Sequence, residues 1–201
     1  SASDRRSVRR RRPHPGLWWV MLLALVLSWP VLAMANEARI RSAEIVRADA
    51  GTYVLNADID IQLNSRLVDA IDHGVPLYFA VDVVIERPRR YWFNEEVAER
   101  RREYRLSYHA LTRSYRLSIG SIHQSFESLD AAVRTMQRIR NWQVARPGAI
   151  EEGRSHTAAL RFRLDTSQLP KPFQVTAIGS RDWNLATDWM EWAFLPGAAG
   201  Q

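Results

Sequence analysis

Apolar side chains occupy every second position from Tyr53 to Leu63, and a run of that kind leaves a chain few folds. Tyr53, Leu55, Ala57, Ile59, Ile61 and Leu63 fall on one parity, and Asn56, Asp58, Asp60 and Gln62 on the other. Successive side chains of an extended chain point to opposite faces, so this segment reads as a strand with one dry and one wet face. Leu77, Phe79, Val81, Val83 and Ile85 repeat the pattern. Between the two runs, Asn64 or Ser65 can cap a short helix with Leu67, Val68 and Ile71 on its apolar face, and Gly74 and Pro76 stop it. Weaker alternation over residues 38–48, ending at Asp49-Ala50-Gly51, predicts a first strand and hairpin.

The tetrapeptide Tyr-Arg-Leu-Ser occurs at 104–107 and again at 115–118. Tyrosine interleaved with arginine is also how single-stranded nucleic acid is gripped, with rings for bases and cations for phosphates. Here the period is two on both sides of a short polar break. Tyr104, Leu106, Tyr108, Tyr115, Leu117 and Ile119 therefore share one face, and Arg105, Ser107, His109, Arg116 and Ser118 the other. Rings and cations point apart, which predicts a hairpin and excludes a stacking surface.

Ser128 is placed to cap an amphipathic helix over residues 129–142, with Leu129, Ala132, Val133, Met136 and Ile139 at helical spacing and Asp130 in the first turn. Further strands are predicted at 156–165, at 173–179 and in the tryptophan-rich 182–194. The expected fold is mostly β within the α+β class: antiparallel, sandwich-like sheets with one amphipathic and one short helix.

The chain has 201 residues and a formal net charge of +6, which on its face suits an anionic partner. The excess sits at one end. Six arginines between residues 5 and 12 precede the apolar run Leu17–Trp29, and Ala33-Met34-Ala35 follows. That order reads as an export signal cut after Ala35, leaving residues 36–201 as a single mostly-β domain outside the cytoplasm, periplasmic or secreted. The alternative is an uncleaved anchor facing the periplasm, with residues 17–32 as the only membrane contact; at 16 residues they span roughly 24 Å of helix against about 30 Å of hydrocarbon. Cleavage takes six of the 28 basic residues and one of the 22 acidic ones, so the remainder is nearly neutral at about +1. No nucleic-acid partner is expected. There is no cysteine, which excludes disulfides, thiol catalysis and thiolate metal sites.

Chemistry-bearing patterns are sparse. His73, His109, His123 and His156 show no ligand spacing, and no cofactor or metal is expected. Asp58 and Asp60 share a strand face and are the pair a hydrolase would use, but the favoured reading is a solvated face answering arginines on a neighbouring strand. The segment Arg89, Arg90, Tyr91, Trp92 and Phe93 combines the residue types that anchor protein interfaces. It is the candidate docking ribbon, expected to extend past the sheets. Trp183, Trp189 and Trp192 lie within ten residues and are the candidate lining of an apolar groove for a small ligand or lipid.

Taken together, "GVPLYFAVDVVIERPRRYWF", "YRLSYHALTRSYRL", "SLDAAVRTM" and "LDTSQLPKPFQV" with the following tryptophan resemble an exported proteobacterial family catalogued as domain of unknown function 4390. The resemblance implies a periplasmic, mostly-β domain with no assigned activity or catalytic residues. It also implies an accessory role in envelope signalling, because members are often encoded beside a membrane sensor kinase and its response regulator. The expected function is a non-catalytic envelope binding module that contacts such a sensor. The alternatives are a carrier of a small apolar ligand or lipid and, behind it, a hydrolase.

Overall fold

The computed structural model describes residues 38–197 apart from Arg90 and Trp92; the export leader expected over residues 1–35 lies outside the described residues. In chain order the regular elements are β1 (Ala38–Arg47), β2 (Tyr53–Ile61), α1 (Ser65–Asp72), β3 (Leu77–Arg87), β4 (Glu95–His109), β5 (Ser114–Ile119), β6 (Ile122–Phe126), α2 (Leu129–Met136), β7 (Arg138–Ala145), β8 (His156–Leu164), α3 (Lys171–Ala177) and β9 (Met190–Phe194). The strands form two antiparallel sheets, one ordered β1-β2-β7 and the other β6-β5-β4-β3-β8-β9. The mostly-β, α+β architecture expected from the alternation is the one observed.

Both sheets turn their apolar parity to a common core. From the small sheet come Leu55, Ala57, Ile59, Ile139 and Val144; from the large sheet come Phe79, Val81, Ile85, Leu106, Leu160 and Phe162. Phe79 and Phe162 stack across neighbouring strands with ring centroids 5.6 Å apart. Three strands cannot cover six, and the helices fill the gap. Leu67 and Ile71 of α1, and Ala132 and Met136 of α2, are fully buried in the same core, with α1 against β4 and α2 against β5, β6 and β7. Both helices start at the predicted caps: the Asn64 side chain accepts from the Leu67 N–H (2.9 Å) and Ser128 from the Ala131 N–H (3.2 Å).

The doubled tetrapeptide is the β4–β5 hairpin, with Leu106 opposite Leu117 and Tyr108 opposite Tyr115. The weak alternation of β1 has a definite cause. Its register shifts between Ile40 and Ser42, so Ala38 and Ile40 face the core on even numbers and Ala43 and Ile45 on odd ones.

Two expectations are corrected. The helix predicted over 129–142 ends at Met136, and residues 138–145 are β7. A bulge opposite Asn56, where Asn141 takes φ 50°, places Ile139 and Trp142 inward three residues apart. Bulge spacing there imitates helical spacing, and the free edge of β2 decides for a strand. Residues 173–179, predicted as a strand, belong mostly to α3. Pro170 at its N-cap and Pro172 in its first turn suit a helix start that needs no N–H donors, and no neighbouring strand pairs with this segment among the described residues.

Candidate functional site

The long β3–β4 ribbon is built by register. Leu77 through Arg87 pair residue by residue with β4, broken by one irregularity beyond Ile85, and Pro88 then removes a ladder donor. Past that point the tip is held by charge. Arg87 forms ion pairs with Glu95 and with Glu151 of a distant loop, and Arg89 joins Glu95. Hydrogen bonds from Arg87 and then Arg89 hold the Glu95 carboxyl below its usual range, so the clamp stays ionised. Asn94 donates to Glu86 (2.9 Å) at the same place. Next to this cluster Tyr91 is 85% and Phe93 96% exposed. Of the five residues nominated for docking, Arg89, Tyr91 and Phe93 stand together here, while Arg90 and Trp92 lie outside the described residues.

Beside the tip, the outer face of the large sheet carries a shallow cavity of about 270 Å³. Val84, Thr157 and Ala159 make its floor, Trp189 one wall, and Glu86, Asn94 and Glu191 its rim. Trp189 is 43% exposed, and the Arg161 guanidinium lies 5.9 Å from its ring centre. In register with these positions are Glu96 opposite Glu86 and Glu99 opposite Val84. Among the described residues no cation pairs with Glu86, Glu96, Glu99 or Glu191. Among the described residues the corner thus presents exposed aromatics, a small apolar floor and negative charge without a paired cation. Glu96 and Glu99 stand beside the ribbon in the sequence itself, but Glu191 joins the lining that holds Asn94 only through the strand order β3-β8-β9.

The three nominated tryptophans do not converge. Trp183 is buried against Phe173 with centroids 5.9 Å apart, Trp192 packs on the core opposite Ala158, and Trp189 alone faces the outer cavity. A groove lined by all three does not form: Trp189, just before β9, lines the outer cavity, whereas Trp192 within β9 packs on the core.

Asp58 and Asp60 lie on the outer face of the small sheet, each neutralised. Asp58 accepts from Arg140 (2.7 Å) and Ser42 (3.3 Å), and Asp60 from Arg41 (2.8 Å). The Arg140 hydrogen bond holds the Asp58 carboxyl below its ordinary range, which leaves no proton to donate to a leaving group. Of the described histidines, only His156 is buried; its Nδ1 contacts the Arg154 carbonyl at 2.8 Å. Among the described residues, no group of three or more His, Asp or Glu side chains could hold a metal ion, and no helix is long and apolar enough to cross a membrane.

A family model described as Domain of unknown function (DUF4390) matches residues 35–193. The chain belongs to this family. The match takes in both sheets and the ribbon corner. No curated protein and no solved structure matches the chain.

Proposed function

We propose that this DUF4390 chain is an exported, non-catalytic binding module of the cell envelope that docks a membrane partner, a sensor kinase being the leading case, through the β3–β4 ribbon corner. The observation that carries the reading is the exposure of Tyr91 and Phe93 beside a cluster of three ion pairs at Arg87, Arg89 and Glu95. Large, exposed aromatic side chains are the residue type that anchors interfaces when a partner buries them. The unmatched carboxylates beside the cavity define the complementary surface: apolar at its centre, with lysine or arginine at its rim. A hydrolytic role has less support, because Asp58 and Asp60 are both occupied by arginines.

The test is crosslinking in the native envelope with a C-terminally tagged chain, comparing wild type with the Tyr91→Ser, Phe93→Ser double variant. Wild type should capture one membrane protein with a basic exposed surface. The double variant should lose it while melting at the same temperature. Capture that is undiminished in the variant refutes docking at this corner.

A further inference from the structure

Among the described residues four strands are sheet edges, β1 and β7 in the small sheet and β6 and β9 in the large one, and three of them carry the features that prevent edge-to-edge pairing. β1 bears Arg39, Arg41, Glu44 and Arg47 and is broken by its bulge. β7 bears Arg138 and Arg140 and bends at the left-handed Asn141. β9 is five residues long, carries Glu191 and runs into Pro196. Charge, bulges, brevity and proline are the usual protections of an open edge. β6, Ile122–Phe126, has none beyond its length: it contains no charged residue, no proline and no bulge. Its first four residues are exposed, with Ile122 at 76%.

Which backbone groups this edge offers follows from its hairpin. Gly120 at φ 57° and Ser121 form a two-residue loop that closes on the Ile119–Ile122 pair. That closing pair exchanges hydrogen bonds, so by alternation Gln124 and Phe126 direct their N–H and C=O groups to β5. His123 and Ser125 direct theirs outward. An incoming antiparallel strand must meet His123 and Ser125 with outward groups of its own. A second β6 can do so in the register centred on Gln124, and this register pairs all five residues. Ile122 then faces Phe126 of the second copy, His123 faces its Ser125, and Gln124 faces Gln124. Apolar meets apolar at both ends, polar meets polar in the middle, and no like charges oppose each other.

We propose that the β6 edge is a homodimerisation surface, pairing antiparallel with a second copy of this chain about a two-fold axis at Gln124 and joining two six-stranded sheets into one. The strand is self-complementary in the sense an isologous contact requires. Five residue pairs bury less than a typical stable interface, so the dimer dissociates on dilution. In strand order this edge lies at the far side of the large sheet from β9, and the inference does not depend on docking at the ribbon corner.

The experiment is sedimentation equilibrium of the wild-type chain and two variants over a concentration series. Ser125→Pro removes an outward N–H and leaves the β5 ladder intact. Gln124→Lys sets two cations against each other on the axis. Wild type should dimerise as concentration rises, and each variant should raise the dissociation constant roughly tenfold or more with an unchanged circular dichroism spectrum. Should Ser125→Pro fail to fold, Gln124→Lys decides alone. A wild-type chain monomeric up to about 1 mM, or a dimer that a folded variant leaves unweakened, overturns the inference.

Discussion

Asp82 sits on the outer face of the central strand β3, only 7% exposed, among arginines of both neighbouring strands. Arg101 Nε lies 2.5 Å from one carboxylate oxygen and Arg163 Nε 3.2 Å from the other, while Arg161 stands opposite in register. Distance alone favours the Arg101 pair by a factor of roughly 1.3. Burial favours Arg163, whose side chain is 24% exposed against 48% for Arg101. Moving from a half-buried setting toward water raises the effective dielectric up to about fourfold, so burial outweighs distance. A double-mutant cycle should therefore give about 1.5–2 kcal/mol of coupling for Asp82 with Arg163 and about 0.5–1 kcal/mol with Arg101. Asp82→Ala strands guanidinium groups on a poorly solvated face. The loss should be about 3 kcal/mol, at the low end for a broken buried pair because Arg101 can swing into water. For a domain of this size that lowers the melting temperature by roughly 6–12 °C. Urea denaturation of the single and double alanine variants measures all of these. A larger coupling to Arg101 than to Arg163, or a loss under about 1 kcal/mol for Asp82→Ala, would refute the reasoning.

The Tyr115 hydroxyl donates to Asp72 (2.8 Å), and that bond, with burial second, pushes the phenol up to about 12 from 10.0. Because the folded value is raised, the stabilisation is complete below pH 10.0 and is lost as pH rises through about 12. Asp72→Asn should return the phenolate absorbance titration toward the ordinary tyrosine range; an unmoved titration would refute the assignment. Asn64 caps α1 and also donates to the Asp182 carbonyl (2.8 Å), tying the helix to the turn that holds Trp183. Asn64→Ala should cost about 2 kcal/mol, and Asn64→Asp, which keeps the cap but not the tie, about half of that. Equal losses in the two variants would show that the tie contributes nothing.

Strict alternation made β2, β3, β8 and the β4–β5 hairpin legible, because a two-residue period has one physical cause in a half-buried sheet. The caps at Asn64 and Ser128 were legible for a similar reason: a short polar side chain before an apolar helical stripe satisfies N–H groups that nothing else nearby can reach. Where a bulge intervened, the period misled. Around Asn141 the inward residues fall three apart, and only the unpaired edge of β2 makes that segment a strand. The ribbon was legible as a run of aromatics and arginines, but its anchoring by Glu151 depends on a loop more than 50 residues further on.

What the sequence by itself determined was local: which residues extend, which coil, which parity stays dry, and where short helices begin. Those follow from side-chain direction and from hydrogen bonds between near neighbours. Tertiary structure alone decided that Trp183, Trp189 and Trp192 part company, which arginines take Asp58 and Asp60, and that Asn94 and Glu191 line one cavity. It also decided that, among the described residues, β6 ends a sheet with its outward hydrogen-bonding groups unpaired. Strand order and facing set these outcomes, and strand order is chosen by the burial of whole faces rather than by any one segment.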